Sequence, residues 1–448
     1  MIVLKKPFFL IFIADFLITI AYLFNDRIGM IMMLLVICIL IFRKKQSFLE
    51  NILMILIISV PTSYIGFAGK NQHQTFSWFT LTTFILLVYL LRNYLSGKCK
   101  ISRSILLTLT FVLSAIFINC FFEINILNAI FEWFQICLML IPLCIVFDQK
   151  DYLKTQLFEK NVETMISVIN AVILASAFGV FSQYCFHYYL HITVGNWTFY
   201  PNRVVIDVLI KGYSVLSVIL SCGIAINLRR FCDNYKIKYV FFAMICLIGI
   251  VLNSSRAGIV VALIISPLIV LPSIIKSRRN FVVGMFLFPV LLFIASVMIS
   301  IQLQARDTRY LFDDNGRFET YIYAKNLLLA GIKPFLFGSG LSLENYSMII
   351  PHNFILELAV DTGILVTSVV VVMVYKLLKY VKQYKYRHIV YCIFLGSMMI
   401  TNFQANYYAV IFIIIAVLYA NITESSTTNK LRKRCLNPNI CEAHHSLR

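Results

Sequence analysis

Apolar residues run along this chain in long blocks, separated by short polar or basic breaks. Crossing roughly 30 Å of hydrocarbon takes about 20 apolar residues in a helix, somewhat fewer where flanking side chains snorkel. On that measure fourteen spans fall at 7–24, 28–42, 48–68, 76–91, 104–122, 126–147, 162–183, 208–228, 239–253, 257–275, 281–300, 360–378, 389–403 and 408–421. The runs lack the period-two alternation of barrel strands, so each is expected to be a helix. The fold class this predicts is all-α: a polytopic transmembrane helix bundle of about 12–14 helices.

Composition supports the pattern. With 60% hydrophobic and 13% charged residues among 448, the chain carries about half the charge of a soluble domain. The net charge of +19 does not point to nucleic acid, because the spans leave no folded basic face to hold it. It instead orients the chain. Placing the N-terminus in the cytoplasm puts most cations inside, from Lys5–Lys6 and Arg43–Lys45 through Arg229–Arg230 and Lys376–Arg387 to the tail. The first span is too long and too uniformly apolar for a cleaved signal peptide, and reads as a retained helix. Most of the 12 cysteines fall in spans or on the cytoplasmic side, and no CxxC occurs. Cys435, Cys441, His444 and His445 sit in a basic tail that reads as solvated and disordered rather than metal-binding.

Most outward loops are short, but two are long, near 184–207 and from 301 to 360. The second has internal order. Asp313-Asp314-Asn315-Gly316 reads as a turn, and Arg317 starts a helical pattern with Phe318, Tyr321, Ile322 and Leu328–Leu329 on one side. Gly331 and Pro334 end it; Gly338-Ser339-Gly340 and Pro351-His352-Asn353 follow. An amphipathic helix on the outer bilayer surface is the expectation.

Candidate chemistry concentrates there. His352, the one histidine of this loop, is a general base for a hydroxyl or a plain surface histidine. Asn353 either orients its ring or caps the next helix. Arg256, wedged between apolar runs in Asn253-Ser254-Ser255-Arg256-Ala257-Gly258, is costly unless it faces a polar cavity, pairs, or snorkels; its small neighbours favour a phosphate-facing role. Arg317 serves a phosphate or pairs with Asp313 or Asp314, and Arg203 in Tyr200-Pro201-Asn202-Arg203 is a third cation. Two converging guanidinium groups suit a diphosphate. Asp15 and Glu132, inside spans, are either ion-coupling groups or acids that lie near an interface or pair within the bundle. The segment from Phe186-His187-Tyr188-Tyr189 to Trp197 reads as an interfacial aromatic belt or as a surface that stacks on sugar rings. His187 and His191 have helical metal-ligand spacing, but no carboxylate completes a set, and no metal is expected.

Together these segments resemble the O-antigen ligase/polymerase family of polytopic membrane glycosyltransferases. Ser255-Arg256-Ala257-Gly258 opening an apolar helix is similar to that family's serine-arginine-small motif. Gly316-Arg317-Phe318 entering a surface helix, with Gly338-Ser339-Gly340 after it, resembles its central external loop. His352-Asn353, with Gly363 and Val366 beyond, resembles the signature that ends this loop. The likeness covers about 200–380. It implies a metal-independent, inverting transferase without cofactor, acting at the outer face of the bacterial cytoplasmic (inner) membrane. Its donor would be an undecaprenyl-diphosphate-linked oligosaccharide; Arg256 and Arg317 would hold the diphosphate and His352 would activate the acceptor. Arg203, Asn353 and Tyr321 join as substrate-binding candidates.

Within that family, the number of spans favours a repeat-unit polymerase, for O-antigen, capsule or exopolysaccharide, over a ligase that transfers the glycan to lipid A-core. A flippase for the same lipid-linked sugars is the competing class. The partners expected are the lipid-linked oligosaccharide and the lipid bilayer, with a chain-length regulator and a flippase beside it, and no nucleic acid. The chain divides into 1–183, N-terminal helices; 184–300, helices with the aromatic loop and the Ser-Arg motif; 301–360, the large external catalytic loop; 361–421, C-terminal helices; and 422–448, a basic cytoplasmic tail. Both termini are expected in the cytoplasm.

Overall fold

Short polar residues punctuate the apolar runs, and each sets a helix start. Asn25, Ser47, Ser77, Ser102 and Asn125 stand in extended or non-helical conformation, and their side-chain oxygens accept backbone N–H groups of the next turn. At Ser47 the cap is reciprocal: Glu50 reaches back to the Ser47 amide.

In the computed structural model, residues 6–42, 47–63, 65–67, 76–98, 100–149, 153, 159–200, 203–208, 213–253, 255–275, 317–341, 353–382, 384–399 and 411–418 are described. They form α1 (Lys6–Phe24), α2 (Asp26–Ile41), α3 (Phe48–Ser59), α4 (Trp78–Leu95), α5 (Arg103–Cys120), α6 (Ile126–Asp148) and α7 (Glu159–Tyr188). An antiparallel hairpin follows, β1 (Asn196–Tyr200) and β2 (Arg203–Val208). Then come α8 (Tyr213–Asn234), α9 (Ile237–Leu252), α10 (Arg256–Ile275), α11 (Arg317–Leu329), α12 (Ile332–Phe337), α13 (Phe354–Val381) and α14 (Arg387–Ser397). A last helical stretch covers 411–418.

The chain is a multi-pass membrane protein built as a helical bundle. Among the described residues, seven helices are long and apolar enough to cross a membrane, and α1, α3 and α9 are shorter apolar helices. Every expected span coincides with a described helix except 281–300, which lies outside the described residues. Several boundaries differ. The expected span 48–68 is helical only to Ser59, the helix expected at 208 begins at Tyr213 behind the hairpin, and the one expected at 360 begins at Phe354.

The centre is made by α7 and α8. Of their apolar windows 78% and 89% are buried, against 28% for α5 and 33% for α10, which face outward. Small residues let this centre close up. Gly223 of α8 sits against Ile173 of α7 and Cys246 of α9, and Gly249 of α9 against Leu220 and Ala177. Asn170 and Asn227 exchange side-chain amide hydrogen bonds of 3.1 and 2.6 Å between α7 and α8, so two buried polar groups satisfy each other. On the outside, α1 presents Phe9, Leu10 and Leu17, α10 presents Leu268 and Leu271, and α13 presents Val372. So broad an apolar exterior is suited to hydrocarbon rather than water.

The end assigned to the cytoplasm by the charge pattern is tied by ion pairs. Arg230 of α8 meets Glu163 of α7 at 3.7 Å and donates to Ser167 at 2.8 Å. Lys385, between α13 and α14, reaches Asp233 at 3.1 Å and Glu163 at 3.7 Å. Burial alone would lower the Lys385 pKa, but Tyr386, Asp233 and Glu163 together outweigh it and hold the ammonium above its ordinary range.

Candidate functional site

At the opposite end, the start of α10 is seated by hydroxyls. Ser255 lies 2.7 Å from Ser217 of α8, oxygen to oxygen, and its hydroxyl accepts the Gly258 amide at 3.5 Å, as an N-cap does. Ser221, one turn along α8, donates to the Gly258 carbonyl at 3.2 Å. Gly258 is required by this closeness: a Cβ there would stand 2.5 Å from that of Ser217. Ser255 and Gly258, beside Arg256, therefore serve helix packing. Arg256 itself is half-buried and is the first residue of α10.

The start of α13 is built in the same manner. Asn353 is extended (φ −155°, ψ 114°), and its side-chain oxygen accepts the Ile355 and Leu356 amides, both at 3.1 Å. Its amide donates to the Met398 carbonyl, just past α14, at 3.5 Å. Asn353 thus caps α13, one of the two roles expected for it. Two residues before Met398, Gly396 packs on Val218 of α8, beside Ser217. Through Ser217, Val218, Gly396 and Met398 the first turns of α10 and α13 are thus held at one end of the bundle.

Helix α13 is broken inside. Gly363 has φ 79°, ψ 170°, which divides it into two segments. The carbonyls freed by the break are taken up locally: Ser339 donates to Val360 at 2.7 Å, and Gly340 to Asp361 at 3.2 Å. Asn119 of α5 donates to the carbonyls of both Asp361 and Phe337, at 2.9 and 3.0 Å. Glu123 accepts the Leu341 amide. The Gly338-Ser339-Gly340 turn and Gly363, far apart in the chain, are one contact.

The predicted residues are placed as follows. Arg256 and Asn353 share the end just described. Arg317 is the first residue of α11, which packs on α12 and α13, and Tyr321 lies one turn along it, half-buried. Arg203 opens β2 opposite Tyr200, and β2 packs against α7 and α8. His352 lies outside the described residues, immediately before the Asn353 cap, as do Asp313 and Asp314. His191 lies beyond α7 with φ 55°, so it does not share a helical face with His187, which instead sits 3.3 Å from Thr193. Among the described residues no group of three or more His, Cys, Asp or Glu side chains is placed to hold a metal.

Sequence reasoning missed Ser217, Ser221 and Asn119. The two serines carried a readable signal, a small-residue pair one turn apart on an apolar helix; Asn119 carried none.

Two helix N-termini lie at one end, their first turns capped by Ser255 and Asn353, and bring the positive ends of two helix dipoles there. Such a setting suits an anionic group, and Arg256 stands in it. Compared with known protein families and with curated proteins, the chain matches none.

Proposed function

We propose that the chain is a glycosyltransferase that extends a glycan carried on a polyprenyl diphosphate, a repeat-unit polymerase of the O-antigen ligase/polymerase type. The observation that carries this reading is the gathering of the α10 and α13 starts, with Arg256 in one and the Asn353 cap beside His352 in the other. Helix N-termini and a guanidinium favour diphosphate oxygens, and more strongly as charge grows on the leaving group. The charge pattern supports an outward orientation of this end, the side on which lipid-linked repeats are extended in this reading.

In the reaction, an acceptor hydroxyl oxygen bonds to the anomeric carbon as the bond from that carbon to the diphosphate oxygen breaks. The electron pair leaves with the diphosphate, held by Arg256 and Arg317. The hydroxyl proton passes to His352, and attack opposite the leaving group inverts the anomeric centre. Ligase and polymerase differ here only in the acceptor, lipid A-core or a second lipid-linked repeat.

The test is chain growth by purified protein in lipid discs with a lipid-linked oligosaccharide and no ion gradient. Longer lipid-linked products support the proposal. Transfer only to lipid A-core would make the chain a ligase. Translocation in vesicles with no new glycosidic bond would make it a carrier, the reading that Asp15 in the bundle favours.

A further inference from the structure

Helix α1 carries three polar side chains on its buried face that no part of the site above uses. Asp15, Thr19 and Tyr22 follow one another at i, i+4 and i+7, so they form one stripe. Asp15 and Thr19 are fully buried and Tyr22 is 1% exposed. Among the described residues, neither carboxylate oxygen of Asp15, nor the Thr19 hydroxyl, nor the Tyr22 hydroxyl has a hydrogen-bond partner.

Among the described residues, the elements packed on α1 supply no counter-charge beside Asp15. On α7, which packs on α1, no titratable residue lies between Glu163 and Tyr184, and Phe178 of that stretch contacts Phe12 and Phe16 on either side of Asp15. On α2, Asp26 and Arg27 sit at one end and Cys38 towards the other. On α9, which touches α1 through Phe242 and Phe8, the groups are Lys238, Tyr239 and Cys246, the last packed against Gly223.

A lone carboxylate in such a place is prohibitively costly while charged, and neutralises unless a cation joins it. Aspartate is also a poor choice for filling space in an apolar helix. We propose that Asp15 is a proton-binding site within the membrane, and that Thr19 and Tyr22 continue it as a polar path along α1 towards the Tyr22 end. This does not rest on the glycosyltransferase reading, since it concerns a different helix and a different ligand.

The probe is dicyclohexylcarbodiimide on the full-length protein in lipid vesicles. The O–H of a protonated carboxyl adds across a C=N bond of this apolar reagent, and the adduct rearranges to a stable N-acylurea, with nothing lost. Mass analysis of the peptide carrying Asp15 then reports its protonation. The expected result is labelling of Asp15 in mildly acidic buffer that fades in alkaline buffer and ignores sodium. Asp15→Asn, neutral and of the same shape, should fold and lose the label. Thr19→Val and Tyr22→Phe should slow labelling without altering thermal stability. No label on Asp15 in any buffer overturns the proton site. Protection by sodium overturns it too, because an alkali cation would then be the occupant. Unchanged labelling rates in both hydroxyl variants would overturn the path while leaving the site to the other arms.

Discussion

Gly338 and Gly363 are pressed into each other's backbone: Gly338 lies against Asp361 and Thr362, and Gly363 against Leu336 and Phe337. Both have left-handed φ, 85° and 79°. Each therefore supplies two things at once, a conformation that a side chain resists and a space that a side chain would fill. Alanine at either position should destabilise the protein by about 1–2 kcal/mol from conformation alone, and further by forcing α12 off α13. Thermal unfolding in detergent checks this. The double variant should lose less than the sum, because the two glycines serve one contact; full additivity would mean that they act separately.

Asn119 holds the same junction from the side of α5, by its two bonds to Phe337 and Asp361. Replacing it with leucine takes the Asn119 donor from the Phe337 carbonyl and leaves that of Asp361 with Gly340 alone, at a cost of about 1–3 kcal/mol. Asn119→Leu should lower the unfolding temperature, and limited proteolysis should find the chain around 338–341 more readily cut. An unfolding temperature equal to that of the parent would show that the break in α13 does not depend on α5.

The junction illustrates what the sequence could carry. Gly338-Ser339-Gly340 and Gly363 stand out as local breaks in an apolar pattern, but nothing in their spacing says that they meet. Helix α13 starts at Phe354, before the apolar run at 360, because the Asn353 cap decides it; Glu357 in the first turn hides that start from a hydropathy window. The hairpin had a signal, Pro201-Asn202 between strands rich in aromatic and β-branched residues. Its apolar second strand merges in sequence with the helix after it, so 208 reads as the start of a span. The candidate arginines and Asn353 were legible one at a time. The hydroxyl contacts of Ser217 and Ser255 that gather their helices depend on two chain segments and were not.

At the opposite end, Lys385 gives a pH dependence. Its folded pKa is raised, chiefly because Tyr386, Asp233 and Glu163 outweigh the effect of burial. A raised pKa means that the folded state holds the proton more tightly than the unfolded chain. Its contribution is therefore complete below the unfolded value, about 10.4 for lysine, and is lost as pH rises through the folded value. Unfolding temperature followed into the alkaline range should fall faster in the parent than in Lys385→Met, which starts lower but lacks this titration. Parallel curves would show that the ion pairs to Asp233 and Glu163 add nothing in solution.

The packing of α10 on α8 should control the position of Arg256, and one pair of substitutions separates position from stability. In Gly258→Ala the new methyl meets Ser217 and, at 3.0 Å, Ile250. Overpacking of this kind costs about 1–3 kcal/mol and moves the helix start. Adding Ser217→Gly removes the obstructing Cβ but also the hydroxyl that meets Ser255, so it should return only part of the stability. Glycan transfer should return to the same partial extent, if what Gly258→Ala disturbs is the seat of Arg256 rather than the fold at large. Arg256→Lys in the parent background keeps charge and loses the planar fork, so a fall in transfer of about 10²–10³ with unchanged unfolding temperature is expected for a group that acts on the leaving diphosphate. A stable Arg256→Lys variant with parental transfer would remove Arg256 from the reaction, and the restored double variant would then report only on how closely α8 and α10 approach.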